Sequence, residues 1–253
     1  MIKLKTDSDI EILKDSGKIL RDVLDRLVNA ARPGVHLSFL DKLAFDLIKS
    51  YGGKPAFLNY RPEGAERAYP ASICASLNDC IVHGIPSDYS LKEGDILKLD
   101  AGVDFKGRFT DSAKTVIVGD KASRDERMAV QAVNEALEAA IAVCEPGNRL
   151  GDIGAAIEGI ARKYGVSIVE GLTGHGVGFA PHEDPYVFNY GKPISGIVLN
   201  PGLVIAIEPM FCLGDPDIIE NPDGSYSTFD GSIATHAEHT VAITESGPIV
   251  LTA

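Results

Sequence analysis

Apolar residues at Ile10, Leu13, Leu20, Leu24, Leu27 and Ala31 recur at steps of three and four, which predicts one helix with a single buried face from Asp7 to Ala31. Arg32-Pro33-Gly34 ends it. Ser38 with Asp41 three positions on predicts a capped second helix, with Leu40, Leu43, Leu47 and Tyr51 as its buried face and Gly52-Gly53 as its stop. Lys54 to Pro70 holds Pro, Gly and Arg without periodicity, a long loop of the kind that is more often functional than idle. The run SICASLNDCIVHGIP then reads as a β-segment reaching a turn at His83-Gly84-Ile85-Pro86.

From Gly94 to Gly119 two runs rich in β-branched and apolar residues flank Asp104-Phe105-Lys106-Gly107, the pattern of a β-hairpin. A loop centred between Phe105 and Lys106 sets Asp100 directly opposite Asp111, with Cβ atoms roughly 4.5–5.5 Å apart. Like charges so placed repel, and a divalent cation held by both carboxylates relieves them. The plain alternative is a pair of exposed aspartates on a sheet edge, and a bulge would spoil the pairing.

After Gly119 the plan repeats. Ser123 with Glu126 caps a third helix reaching about Cys144, Pro146-Gly147 breaks it, and a fourth helix runs from about Gly151 to Tyr164 and stops at Gly165. An offset of 113 places Pro146-Gly147 on Pro33-Gly34, Leu150 on Leu37, Ile153 on Leu40, Ile160 on Leu47, Tyr164 on Tyr51 and Gly165 on Gly52. A second echo, LKEGDILKLD against LNPGLVIAIE, ends each copy on a carboxylate, Asp100 and Glu208. The expectation is an α+β fold in which duplicated helix–helix–strand halves, about 1–119 and 120–253, meet with pseudo-two-fold symmetry in a single domain spanning 1–253.

Composition narrows the function. A net charge of −12 argues against nucleic-acid and anionic-membrane partners, which call for a basic face. The opening MIKLKTDSDIEIL lacks a signal-peptide core and no run reaches the ~20 apolar residues of a membrane span, so a cytoplasmic location is expected. Cys74, Cys80, Cys144 and Cys212 show no CxxC spacing, which favours free thiols.

The chemistry-bearing residues of the second half are His175 and His182 in GHGVGFAPHEDP, Glu208 closing VIAIEPM, and Glu238 in HAEHTVAIT. Singly, a histidine between glycines is an ordinary loop residue and a glutamate at a strand end is ordinarily solvated. Together with Asp100 and Asp111 they fall at strand ends of a duplicated fold. Four carboxylates and an imidazole carry a formal charge of roughly −4, which two divalent cations neutralise.

These residues carry a resemblance to type I methionine aminopeptidases of the pita-bread fold. It extends over nearly the whole chain, through MIKLKTDSDIEILKDSGKIL, YPASICASLNDCIVHGIP, the D-x10-D spacing of Asp100 and Asp111, GHGVG…HEDP, IEPM and AEHT. The 26 positions from His182 to Glu208 leave no room for the long helical insertion of type II enzymes.

The resemblance implies a curved antiparallel sheet and two divalent ions, of Co, Mn, Fe or Zn. Asp111 and Glu238 would bridge them, Asp100 would complete one site, and His175 with Glu208 the other. It further implies attack by a metal-bridging hydroxide, Glu208 as proton shuttle, His182 on the developing oxyanion and His83 against the scissile amide nitrogen. Phe57, Tyr60, Tyr69 and Cys74 align with the methionine pocket. The implied activity is removal of the initiator methionine from nascent chains, with a small second residue preferred, by a monomer in transient contact with the ribosome.

Three departures touch specificity: a short insertion within Asn59–Ala68, Pro181 before His182, and no pocket tryptophan, with Ser225-Tyr226 near its place. Xaa-Pro peptidases, which share the fold and ligand types but usually carry a further N-terminal domain, are the alternative. A non-catalytic peptide-binding module is a third reading, but such modules typically lose ligands.

Overall fold

The structure is a computed structural model that describes residues 2–61 and 67–253. In the first half the order is α1 (Asp7–Ala30), α2 (Leu37–Ser50), β1 (Lys54–Pro55), β2 (Ile73–Leu77), β3 (Cys80–Val82), β4 (Ile96–Phe105) and β5 (Arg108–Ile117). The second half follows with α3 (Arg124–Ala142), α4 (Leu150–Tyr164), β6 (Ser167–Ile168), β7 (Gly174–Gly176), β8 (Glu183–Val187) and β9 (Val204–Ile207). It closes with β10 (Met210–Cys212), β11 (Ile218–Glu220), β12 (Tyr226–Thr228), β13 (Ala234–His236), β14 (Glu238–Thr244) and β15 (Gly247–Val250).

One antiparallel sheet crosses both halves in the order β1-β4-β5-β14-β9-β7-β8, with β2 on β4 and β15 on β14. The helices pack mainly on one face of it, while Ile10 and Leu13 at the start of α1 pack with Val177, Val204, Ala206 and Ala242. Leu20, Leu24 and Leu27 of α1 and Leu40, Ala44 and Ile48 of α2 form one core with Leu97, Leu99 and Val103 of β4. Val133 and Leu137 of α3 and Ile153 and Ile157 of α4 form its counterpart with Ile205, Val241 and Val187. The other face carries the acidic residues at its centre, where Asp100 and Glu238 both pair with Ala113.

The duplication is visible bond by bond. Gly34 N–H donates to Leu91 O at 2.7 Å, and Gly147 N–H to Leu199 O at 3.0 Å. Leu37 N–H donates to Tyr89 O and Leu150 N–H to Ile197 O, both at the helix starts. The isolated bridge His36–Ser90 has its twin in Arg149–Val198. Gly94 and Gly202, at φ of +91° and +90°, open the two equivalent strands with a turn that a Cβ would strain.

α1, α3 and α4 lie within two residues of their predicted limits, and the capping box of Ser123 and Glu126 is formed. α2 departs from expectation. Its N-cap is His36, and Asp41 is no capping partner: its Oδ1 accepts from the N–H groups of Ser72 at 2.7 Å and Ile73 at 3.2 Å. Its buried stripe is Leu37, Leu40, Ala44 and Ile48; Leu43 and Leu47 are half-buried and Tyr51 is exposed, its hydroxyl donating to Asp22. The SICASLNDCIV run also splits, because Asn78 at φ +51° turns the chain between β2, which joins β4, and β3, which joins β12.

The hairpin loop is centred one residue later than expected, which shifts the cross-strand pairing by two. Lys106 and Gly107, at φ of +53° and +74°, form a two-residue loop whose twist matches that of the strands, so Phe105 pairs with Arg108. Asp100 therefore faces Ala113 and Asp111 faces Gly102. The aspartates stay on one face as diagonal neighbours.

Candidate metal centre

Cross-strand register collects the acidic residues. Ala113 is the middle of a three-strand row, with Asp100 opposite it on β4 and Glu238 opposite it on β14. Asp111 lies two positions from Ala113 on the same face. On the other side His175 pairs with Ala206, two positions before Glu208, so imidazole and carboxylate share that face as well. Ala113 was not foreseen as part of the site; its single methyl leaves the space over which longer side chains converge.

Asp111, His175 and Glu238 each offer a ligand atom, all within 4.8 Å of one another. His175 Nε2 stands 3.5 Å from Glu208 Oε1 and 4.0 Å from Asp111 Oδ2. Asp100 is near enough to Asp111 to hydrogen-bond it when one of them is protonated.

Asp100 Oδ1, Asp111 Oδ1 and Glu238 Oε1 are buried without a hydrogen-bond partner among the described residues. A buried charged oxygen left so is costly unless a cation meets it. Burial and mutual repulsion push Asp111 and Glu238 well above the usual carboxylate range. Burial likewise raises Asp100 to about 6 and Glu208 to about 7, offset in part by His236 for the first and His175 for the second. An oxygen and imidazole donor set without sulfur fits hard or borderline divalent ions, and the orphaned oxygens are the atoms that would meet them.

His83 and His182 line the mouth. Both rings are open to water yet enclosed by protein on most sides. That enclosure, with His236 beside His83, lowers the former to about 4; with His175 and His83 as neighbours it lowers His182 to about 3. They are neutral imidazoles at pH 7. His182 sits edge-on to His175 with ring centroids 4.4 Å apart, and its Nδ1 is 3.2 Å from the Tyr60 hydroxyl. His83 adopts φ +61°, and its ring lies 5.7 Å from that of Tyr226, in the region where the expected tryptophan is missing.

Of the remaining pocket candidates, Cys74 pairs directly with Asp100 and is buried, its thiol held well above its usual range by burial and that carboxylate. Phe57 is buried against the edge of Tyr69, whose hydroxyl points at the carbonyls of Ile73 and Gly84, each 3.0 Å away. The Asn59–Ala68 segment is tied at its base, where Tyr69 N–H donates to Tyr60 O and Asn59 N–H to Tyr69 O; its residues 62–66 lie outside the described residues. Pro181 is buried beside His182. Lys5 reaches this turn from the N-terminus, bonding Glu183 at 2.7 Å while Glu183 accepts from the N–H groups of Phe179 and Ala180.

Two further residues were missed. His236 Nε2 is 3.3 Å from Glu208 Oε2; its place two positions before Glu238 in the run HAEHTVAIT was the signal. Lys98, fully buried on the strand face of Asp100, donates to Asn78 O at 2.7 Å, and burial lowers its ammonium to about 7. A lysine inside the apolar run DILKLD marked it.

Comparison with known proteins agrees with this geometry. The model of metallopeptidase family M24 matches residues 11–245. The methionine aminopeptidase of Aquifex aeolicus is 41% identical over 255 residues, covering 99% of this chain and 98% of that protein. Methionine aminopeptidase 1 of Mycobacterium tuberculosis is 40% identical, covering 100% and 95%. The crystal structure of the Rickettsia prowazekii methionine aminopeptidase superposes with a TM-score of 0.95 at 35% identity, covering 100% of both chains. The prolidase of Pyrococcus furiosus, at 24% identity and a TM-score of 0.77, is covered over 65% of its length and shares the fold. By family model, full-length relatives and superposition, the chain belongs to metallopeptidase family M24, within the group of the methionine aminopeptidases.

Proposed function

We propose that the chain is a metal-dependent aminopeptidase that removes the N-terminal methionine of nascent proteins whose second residue is small. The observation that carries this reading is the convergence of orphaned carboxylate oxygens and His175 beneath two neutral imidazoles at an open mouth. In this proposal Asp111, Glu238, Asp100, His175 and Glu208 would together hold two divalent ions. The ions, of Co, Mn, Fe or Zn, would supply Lewis acidity and a nucleophile from water at neutral pH.

The chain's own residues do the rest. Glu208, buried beside the position of the reacting bond, would accept a proton from the attacking water and return it to the departing amine. His182, oriented by the Tyr60 hydroxyl, donates to the substrate oxygen as charge develops there. His83 hydrogen-bonds the scissile amide nitrogen. Phe57, Tyr69 and Cys74 offer a sulfur-tolerant apolar wall beside Asp100 for the methionine side chain. The unit acts as one catalytic domain over 1–253, as a cytoplasmic monomer with transient ribosome contact; no helix among the described residues is long and apolar enough to cross a membrane.

The test is hydrolysis of Met-Ala-Ser and Ala-Pro-Ser by chelator-stripped protein refilled with each metal. Metal-dependent cleavage of only the methionine peptide is the expected outcome. Cleavage of only the proline peptide would move the chain to the Xaa-Pro peptidases, and metal binding without cleavage of either would leave a peptide-binding module.

A further inference from the structure

Beyond the catalytic pocket, the sheet face that carries His175 continues into solvent as a row of aromatic rings. Tyr186 pairs with His175 across β7 and β8, so both side chains emerge on the same face, roughly one strand spacing of ~5 Å apart. Tyr186 is 68% exposed, Phe188 46% and Tyr190 48%. The rings follow one another at centroid distances of 6.5 and 5.7 Å. The intervening residues point the other way: Val187 enters the core under α3 and α4, and Asn189 is buried with its Nδ2 donating to Glu208 O at 3.0 Å.

The row is rigidly backed. Gly154 of α4 lies so close to the Tyr190 carbonyl that a Cβ there would stand 2.3 Å from the oxygen. Nothing in the catalytic chemistry calls for three exposed aromatic rings in five residues of an end strand and its continuation. Contiguous exposed aromatic surface of this kind marks a binding site rather than ordinary surface composition. Its continuity with His175 and Glu208 identifies the occupant.

We propose that Tyr186, Phe188 and Tyr190 form an extended subsite for the peptide substrate beyond its second residue, selecting apolar side chains there. The inference rests on the aminopeptidase reading of the same site. The two ring-to-ring steps span roughly four residues of extended chain at ~3.3 Å each, so the row is long enough to take a run of side chains beyond those held at the metal centre. Stacking and apolar contact with exposed rings add to substrate affinity without altering the bond-breaking step, so the effect falls on KM.

The experiment compares Met-Ala-Ser, Met-Ala-Ser-Leu-Phe-Leu and Met-Ala-Ser-Ser-Asn-Ser with metal-loaded wild type and the Tyr186→Ser/Phe188→Ser double variant. The tripeptide lacks the residues that would run along the row and reads folding and metal loading in the same samples. The expected result is a KM about tenfold lower for the apolar than for the polar hexapeptide with wild type, a ratio collapsing toward one in the variant with kcat unchanged. Equal ratios in the two proteins overturn the subsite. So does sedimentation showing that wild type dimerises and the variant does not, which would assign the row to a second copy of the chain. If the wild type cleaves the apolar hexapeptide no better than the polar one, the subsite alone fails; if it cleaves no methionine peptide, the aminopeptidase reading falls and takes the subsite with it.

Discussion

The two halves build the same hairpin and finish it differently. In the first, β4 and β5 run ten residues each without interruption to a two-residue loop. In the second, the equivalent pair is cut short, β9 ending at Ile207 just before Glu208 and Pro209 and β14 beginning at Glu238 after Ala237, whose N–H donates to Pro209 O. Beyond that corner the chain changes sheets, β10 pairing with β13 and β6, and β12 with β3. Register makes Asp100 the twin of Glu208, Ala113 of Glu238, Asp111 of His236, and Lys98 of Ala206. One backbone plan has thus been filled with complementary chemistry. The unbroken hairpin holds two short aspartates stiffly, while the broken one sends longer glutamates inward from a corner and turns the intervening chain, with Tyr226, into a wall beside His83.

The sharpest test removes one carboxylate from each half. Asp111→Ala and Glu238→Ala are each expected to lower both bound metal, by elemental analysis, and peptide hydrolysis by ~10³-fold or more. If either variant kept full metal content, the two halves would not share the centre. Filling the space between the carboxylates comes next. Ala113→Leu deletes no ligand, yet a larger side chain in the middle of the row should weaken metal affinity by about 10²-fold, the scale of losses around metal sites. An unchanged titration would mean the carboxylates do not converge over residue 113.

A pH series on metal-free protein separates the halves further. Asp100 and Glu208, one from each, are raised to about 6 and 7, so the folded state binds more protons than the unfolded one between their ordinary pKa values and these. Stability to urea should therefore fall by a few kcal/mol from pH 4 to 8. Saturating metal should cancel the fall and release protons as it binds. A flat profile for metal-free protein would contradict the burial argument.

The smallest effect concerns Lys98, which has alanine as its twin. Its ammonium is lowered to about 7, so the folded state binds fewer protons than the unfolded one above that value and stability rises with pH from about 7 toward 10. Lys98→Met should remove that rise and change stability at pH 7 by about 1 kcal/mol or less, because an apolar replacement avoids burying the charge. Retention of the rise in the variant would assign it to another group.

Much of this was legible in the residues. Helix periodicity placed α1, α3 and α4, because spacing on a 3.6-residue repeat is local. The two echoes disclosed the duplication, because repeated turns need the same glycines: Gly34 and Gly147, at φ of +89° and +94°, keep the same bond to equivalent carbonyls. The inward stripe of α2 was misread by one position, because the sheet it packs on, and not its own pattern, decides which face is buried.

By itself the sequence determined the helices, the long hairpin, the duplication and the residue types able to hold a metal, since composition, periodicity and turn chemistry act over a few residues. Tertiary structure alone decided that Asp100 and Asp111 meet diagonally across Gly102 and Ala113 rather than face to face. It also decided that His236 and Lys98 lie beside the carboxylates, and that Tyr186 shares a face with His175. Register across strands separated by tens to more than a hundred residues fixes these relations. It is set by loop geometry and by packing of the opposite sheet face, neither of which is written at the positions it controls.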